Sequence, residues 1–283
     1  MDVLICLGAK DIFFVRKTVR EIRRYICLEG TIFIVTSSRL FKYFGEGWLK
    51  RNCVVLVDEN NMLKGLSLEK VYSEMKRHFS CAVRAGWYFQ QFLKMSFALT
   101  QYAKENYLIW DADTIPLRTI KFIDEKGRFL FTMKEEYNRP YFETMHRLLG
   151  FGKVSNSSFI AEHMPIKTSI MAALLDEIEK STVVGASWFE KIINATSGVD
   201  EAAFSEFETY GTYCQLRYPD IFQERELRTL REAGMLYGRG VRQNELTVLS
   251  KMGFDTASFE TYHIPLFPRN MYNSIERKIL KFI

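Results

Sequence analysis

Apolar residues in the first half of the chain follow two rhythms. Short unbroken runs at 3–8, 31–37, 53–57 and 107–110 have the length and content of buried strands. Between them, apolar positions recur at helical spacing. Val15, Val19, Ile22 and Ile26 line one face of a predicted helix, with Arg16, Arg20, Arg23 and Arg24 largely off it. Tyr88, Phe92, Met95, Leu99 and Tyr102 step by four and three along another. This alternation predicts an α/β fold, a mostly parallel central sheet flanked by helices, in which ligands bind beyond the carboxyl ends of the strands. The second half is less regular. Runs at 129–133 and 157–161 predict strands, and 166–178 an amphipathic helix. The polar and aromatic stretch 134–156, with Pro140, Gly150 and Gly152, reads as a long functional or mobile loop.

Composition narrows the function classes. The formal charge of +5 is spread through the chain, so it favours phosphates or anionic membranes only weakly. No dense basic stripe or recognisable module marks a nucleic-acid binder, and no nucleic acid is expected as a partner. The 23 Phe and 14 Tyr read first as packed core. Cys6, Cys27, Cys53, Cys81 and Cys214 follow no paired spacing and form no zinc set. Four of them sit in apolar contexts and are expected to behave as small buried hydrophobes in a reduced, intracellular protein. The first residues do not read as a signal peptide, and no uncharged apolar run approaches ~20 residues. A cytoplasmic protein is expected.

The sharpest chemistry lies at Asp111, Ala112 and Asp113, directly after the apolar run ending at Trp110. Positions two apart in a strand point the same way, so both carboxylates are expected to converge while Ala112 leaves room between them. Mg2+ or Mn2+ prefers hard carboxylate oxygens, with diphosphate oxygens completing the shell. Such a cation neutralises charge on a departing nucleoside diphosphate. The simpler alternative is a strand end turning before Pro116.

Three stretches taken together resemble GT-A-fold glycosyltransferases: Gly86-Trp87-Tyr88-Phe89-Gln90-Gln91-Phe92-Leu93-Lys94, then Asp111-Ala112-Asp113-Thr114, then Ser205-Glu206-Phe207-Glu208-Thr209-Tyr210-Gly211. More narrowly they resemble a bacterial glycosyltransferase-like family linked to surface polysaccharide and lipopolysaccharide synthesis, over roughly residues 1–265. The resemblance implies a GT-A-like fold with a nucleotide-sugar-binding half at 1–128 and an acceptor-binding half at 129–268, and the residues themselves predict a basic amphipathic helix at 269–283. It implies that Leu7, Gly8, Ala9, Lys10 and Asp11 cradle the base and ribose of the donor. It also implies that a late histidine, His263, completes the metal shell.

Other positions stay open between roles. Gln91 and Lys94, on the helix after Gly86, and Arg84 just before it are candidate donor contacts or an exposed polar face. In Ser205-x-x-Glu208 the spacing is that of a capping box, giving Glu208 a structural task. Glu206 is then free to act as the base that takes the acceptor proton in an inverting transfer, with Glu208 as the fallback. His163 and Tyr137 are candidate acceptor contacts, His163 equally a structural histidine. The terminal stretch 271–283 interleaves Arg277, Lys278 and Lys281 with Ile275, Ile279, Leu280, Phe282 and Ile283. It suits an anionic membrane or packing on the domain, and packing is the expectation.

These readings add up to a metal-dependent hexosyl transfer from a UDP-sugar to a saccharide or lipid-linked acceptor, inversion favoured. The protein is expected to be cytoplasmic, with peripheral contact at the inner membrane face as an alternative. A haloacid-dehalogenase-like phosphatase also carries D-x-D after an apolar strand. It places its nucleophile on the first strand and needs a later acidic pair, and neither feature is present. A nucleotidyltransferase would carry a glycine-rich basic loop, and a non-enzymatic carbohydrate-binding subunit would bind no metal-linked nucleotide.

Overall fold

The computed structural model describes residues 1–26, 29–281 and 283. Cys27, and Phe282 of the terminal basic stretch, lie outside the described residues. Among the described residues the strands are, in chain order, β1 Asp2–Cys6, β2 Ile32–Thr36, β3 Val54–Asp58, β4 Asn106–Trp110, β5 Thr114–Pro116, β6 Phe129–Thr132, β7 His163–Lys167, β8 Phe222–Arg225, β9 Thr229–Leu230 and β10 Thr256–Ser258. The chain forms two compact units that interleave along the sequence. The first comprises Met1–Asp58, Trp110–Phe122 and Glu226–Ile283; the second comprises Glu59–Ile109 and Ile123–Arg225. The sequence reading instead divides the chain after residue 128.

In the first unit β1, β2 and β3 pair in parallel, with Val3 opposite Ile32 and Val35 opposite Val57. Every residue of β1 and β2 is buried, which is why these strands appear in the sequence as unbroken apolar runs rather than alternating ones. Pairing continues one step past β1, where Leu7 N donates to Val35 O at 2.8 Å and Thr36 Oγ1 to Leu7 O at 2.7 Å. The 8–11 segment therefore begins at the carboxyl end of the strand. Helix Val15–Tyr25 buries Val15, Val19 and Ile22 as expected. It also buries Thr18, whose hydroxyl donates to Ala112 O at 2.6 Å. A small second sheet runs β5-β10-β9, with β10 antiparallel to β5 and parallel to β9. Phe14, Ile115, Val241, Leu246 and Phe259 share a hydrophobic cluster beside it.

In the second unit β4 neighbours β7, and β6 pairs in parallel with β8. Helix Glu206–Arg217 runs through this unit with every residue from Glu206 to Cys214 buried. A Cβ at Gly211 would stand 2.2 Å from Cγ of Phe159, so only glycine fits that close approach.

Several sequence expectations change here. The 134–156 stretch is not an open loop: it contains helix Arg139–Leu149, with Pro140 in its first turn and Gly150 closing it at φ 76°. The run at 157–161 forms only an isolated bridge, Lys134 to Ser158, and the strand lies later at His163–Lys167. His163 thus opens a strand rather than following one. Cys6 and Cys214 are buried, but Cys53 and Cys81 are exposed thiols, so fewer cysteines are core residues than expected. No helix among the described residues is long and apolar enough to cross a membrane.

Candidate active site

Strand β4 ends at Trp110, and the Asp111-Ala112-Asp113 segment forms a turn between β4 and β5. Thr114 N donates to Asp111 O at 3.2 Å, and the buried Trp110 indole donates to Thr114 O at 2.7 Å. Strand alternation is therefore not what positions the two carboxylates, contrary to the sequence argument. The turn is fixed from outside by Thr18 on Ala112 O and by Phe259 N on Asp113 O, the latter at 2.9 Å. Beside it, Thr114 Oγ1 and Ser258 Oγ lie 2.9 Å apart across the β5-β10 pair.

That antiparallel pairing brings in a residue the sequence reading missed. Glu260, two residues beyond β10, shares a side-chain hydrogen bond with Asp113. Burial first, and Asp113 next, push Glu260 up to about 8. Asp113 is itself raised, by burial and then by Asp11. Lys10 stands in the field of Asp11, Asp113, Glu260 and Asp111; burial lowers its pKa, but these carboxylates outweigh burial and the ammonium is held above its usual value. The loop after β1 and the turn after β4 thus form one electrostatic cluster.

Arg239, 2% exposed, underlies this cluster. It contacts Asp11 at 3.1 Å and Glu276 at 2.9 Å. It also donates to Phe259 O at 2.8 Å and Lys10 O at 3.1 Å. One guanidinium therefore ties together the Lys10–Asp11 loop, the segment after β10 and the C-terminal helix.

Asp111, Asp113 and Glu260 supply the hard oxygen donors that suit Mg2+ or Mn2+. Among the described residues no group of three or more His, Cys, Asp or Glu side chains is already gathered as a ligand set. What the protein presents is the contacting pair Asp113–Glu260, two acidic groups held together where either a shared proton or a cation must offset their charge. His263 N donates to Glu260 O at 3.1 Å. The imidazole is buried, with Nδ1 unpartnered where a Cβ on Gly234 would stand 2.6 Å away. Burial lowers its pKa, favouring the neutral form that binds metals.

The other sequence candidates lie in the second unit. Lys94 Nζ and Glu206 Oε1 form a buried ion pair at 2.8 Å. Gln91 Oε1 accepts from Glu206 N at 2.9 Å, and Lys94 also lies over the Phe207 ring. Glu206 is therefore paired rather than free, and Lys94 and Gln91 are not an exposed polar face. Ser205 caps its helix, accepting from Glu208 N at 3.3 Å. The Glu208 carboxylate does not complete a capping box: it accepts from Ser158 Oγ at 2.7 Å and Phe159 N at 3.1 Å. Burial raises its pKa. His163 shares a 2.9 Å hydrogen bond with Thr132, and burial holds it neutral. Tyr137 is exposed and stacks on Phe142, and Arg84 lies over Trp87.

A family model described as "Family of unknown function (DUF6492)" matches residues 22–234. The chain belongs to that family. No curated protein matches this DUF6492 member. Among solved structures, mouse xyloside xylosyltransferase 1 in its apo form is similar at 12% identity and TM-score 0.50, over 94% of this chain and 100% of the mouse chain. An active-site mutant of LgtC is similar at 7% identity and TM-score 0.45, over 99% of this chain and 96% of that one. The galactosyltransferase LgtC in complex with donor and acceptor sugar analogs is similar at 8% identity and TM-score 0.43, over 100% and 96%. The likeness to the mouse enzyme establishes that this family member has the GT-A glycosyltransferase fold expected from its motifs.

The Asp113–Glu260 contact has a measurable signature. Both folded-state pKa values are raised, that of Glu260 to about 8, so the stabilisation is present below the usual carboxylate range of about 4 and the Glu260 part is lost as pH rises through about 8. Without divalent cation, the melting temperature is expected to fall between pH 6 and pH 9. Glu260→Gln, which keeps a donor to Asp113 without the proton linkage, should flatten that fall. At this size ~1 kcal/mol corresponds to roughly 2–4 °C, which differential scanning fluorimetry resolves. Equal slopes in the two proteins would refute the linkage.

Proposed function

We propose that the protein is a metal-dependent glycosyltransferase. It moves a hexose from a nucleoside-diphosphate donor, with UDP as the expected nucleotide, to a saccharide or lipid-linked acceptor. The observation that carries this reading is the Asp113–Glu260 contact at the strand ends of a GT-A-type fold, with Lys10 in the field of both and of Asp111. Ligands of α/β sheets bind at such ends.

Asp111 and Asp113, with Glu260 beside them, would hold Mn2+ or Mg2+, and His263 is the proposed additional ligand. Bound there, the cation supplies Lewis-acid neutralisation of the leaving diphosphate. Lys10 offers a fixed positive charge to the same phosphates. Leu7, Gly8 and Asp11 are the proposed contacts to base and ribose, with Asp11 oriented by Arg239. No positive φ or close contact inside the protein requires glycine at position 8, where a Cβ would meet only Lys10 Cγ at 3.8 Å. A glycine there is compatible with a ligand approaching the backbone closely. Arg84, Gln91 and Lys94 remain proposed donor contacts, and His163 and Tyr137 acceptor contacts.

Glu206 is the proposed base for inversion, held in a set geometry by Lys94 and by the Gln91 contact to its amide. Glu208, which already accepts two hydrogen bonds, is the weaker candidate. A screen of UDP-sugars with Mn2+, following UDP release, tests the reading. At least one donor should be turned over, and Glu206→Gln should lower kcat by about 10²-fold or more with little change in UDP affinity. Full activity in Glu206→Gln would remove the base assignment. Absence of turnover with every donor and acceptor tried would count against the enzyme itself.

A further inference from the structure

The C-terminal helix is amphipathic in the reverse sense. Along Asn270–Leu280 the buried residues are Asn273 and Glu276, while Met271, Tyr272, Ile275 and Ile279 are exposed. At about 100° per residue those four apolar side chains fall within roughly one quarter to one third of the helix circumference. The inward face is polar because Arg239 is there to meet it. Glu276 pairs with the Arg239 guanidinium at 2.9 Å, and Asn273 Oδ1 accepts from Arg239 N at 3.0 Å. Asn273 Nδ2 also donates to His263 O at 3.3 Å. The helix is thus anchored by ionic and polar contacts and turns its hydrophobic stripe to solvent.

The segment before the helix adds to that stripe. Ile264 is 65% exposed, Leu266 85% and Phe267 76%, and they precede the exposed apolar residues of the helix directly in the chain. Exposed apolar surfaces that extend beyond single residues mark interaction sites. Charge follows the same surface. Between 262 and 283 the chain carries Arg269, Arg277, Lys278 and Lys281, and its one acid is Glu276, which is buried on Arg239. Arg269 pairs with Glu245, while Lys278 and Lys281 are exposed on one side of the apolar stripe, Lys278 next to its edge.

We infer that residues 264–281 form a docking surface for an anionic lipid bilayer. Leu266 and Phe267 enter the acyl boundary, the helix lies in the interface plane, and Lys278 and Lys281 meet lipid phosphates. Protruding tips such as these suit a deformable surface that closes around them. The exclusively cationic exposed charge of the segment selects an anionic one. The docking surface stands independently of the proposed transfer reaction.

The test is sedimentation of the full chain with phosphatidylcholine vesicles and with vesicles containing ~30% phosphatidylglycerol. The protein should pellet with the anionic vesicles, much less with the neutral ones, and release as salt approaches ~0.5 M. Leu266→Ser/Phe267→Ser should reduce the bound-to-free ratio by about tenfold or more. Lys278→Glu/Lys281→Glu should remove the preference for anionic lipid. Both variants lie at solvent-exposed positions and should keep the wild-type melting temperature and UDP affinity. Failure of the wild type to pellet with anionic vesicles would overturn the inference. So would equal binding by Leu266→Ser/Phe267→Ser. A wild-type dimer in light scattering that becomes monomeric in that variant, without vesicle binding, would assign the surface to a second copy instead.

Discussion

Arg239→Met is expected to lower the unfolding free energy by about 3–5 kcal/mol, the typical cost of removing one partner from a buried charge network. Methionine fills much of the arginine volume, so the loss reports charge rather than a cavity. Asp11 and Glu276 would both remain buried without their 3.1 Å and 2.9 Å contacts. The carbonyls of Phe259 and Lys10 would lose their donor as well. Urea denaturation measures the effect, with Arg239→Lys expected to fall between because a single ammonium cannot span the same partners. A change below about 1 kcal/mol would mean that the network carries little of the fold's stability. Loss of Arg239 should also loosen the C-terminal helix, whose buried face is Asn273 and Glu276.

Much of the first unit is legible from sequence because its physics is local. Residues 3–8, 31–37 and 53–57 predict strands found at Asp2–Cys6, Ile32–Thr36 and Val54–Asp58. Strands β1 and β2, buried on both faces, are apolar over nearly their whole length, while β3 shows as a short run of mostly β-branched residues although Val55 is exposed. The helix at Arg139–Leu149 escapes detection for the opposite reason. Its stretch is polar and aromatic, and Pro140 with Gly150 reads as loop punctuation, although the same pair marks the start and end of a helix.

The site divides in the same way. Asp111 and Asp113 stand out as carboxylates after an apolar strand, though a turn rather than strand alternation holds them. Glu260 is invisible in the sequence because it reaches Asp113 only through the three-residue pairing of β5 with β10, across more than a hundred residues of chain. Arg239 is hidden for a related reason: a lone arginine among glycines gives no sign of being buried, and its partners Asp11 and Glu276 are remote in sequence. The polar-inward terminal helix follows from Arg239. The expectation for 271–283 is packing on the domain; the helix does pack, through Asn273 and Glu276 on the buried guanidinium rather than through its apolar stripe.

Asp113→Ala carries the second large effect. Asp113 is 8% exposed and contacts the other acidic group of the proposed cation site. Its removal takes away a hard anionic ligand and leaves Glu260 alone, so Mn2+-dependent nucleotide affinity should drop by about 10²-fold or more. The fold should persist, since Asp113 O still accepts from Phe259 N through the backbone. The decisive measurement is calorimetric titration of UDP and GDP, with and without Mn2+, into wild type and Asp113→Ala. UDP binding that requires Mn2+ and disappears in Asp113→Ala is the predicted result. Absence of binding by either nucleotide in the presence of Mn2+, or equal binding by the folded variant, would contradict the account.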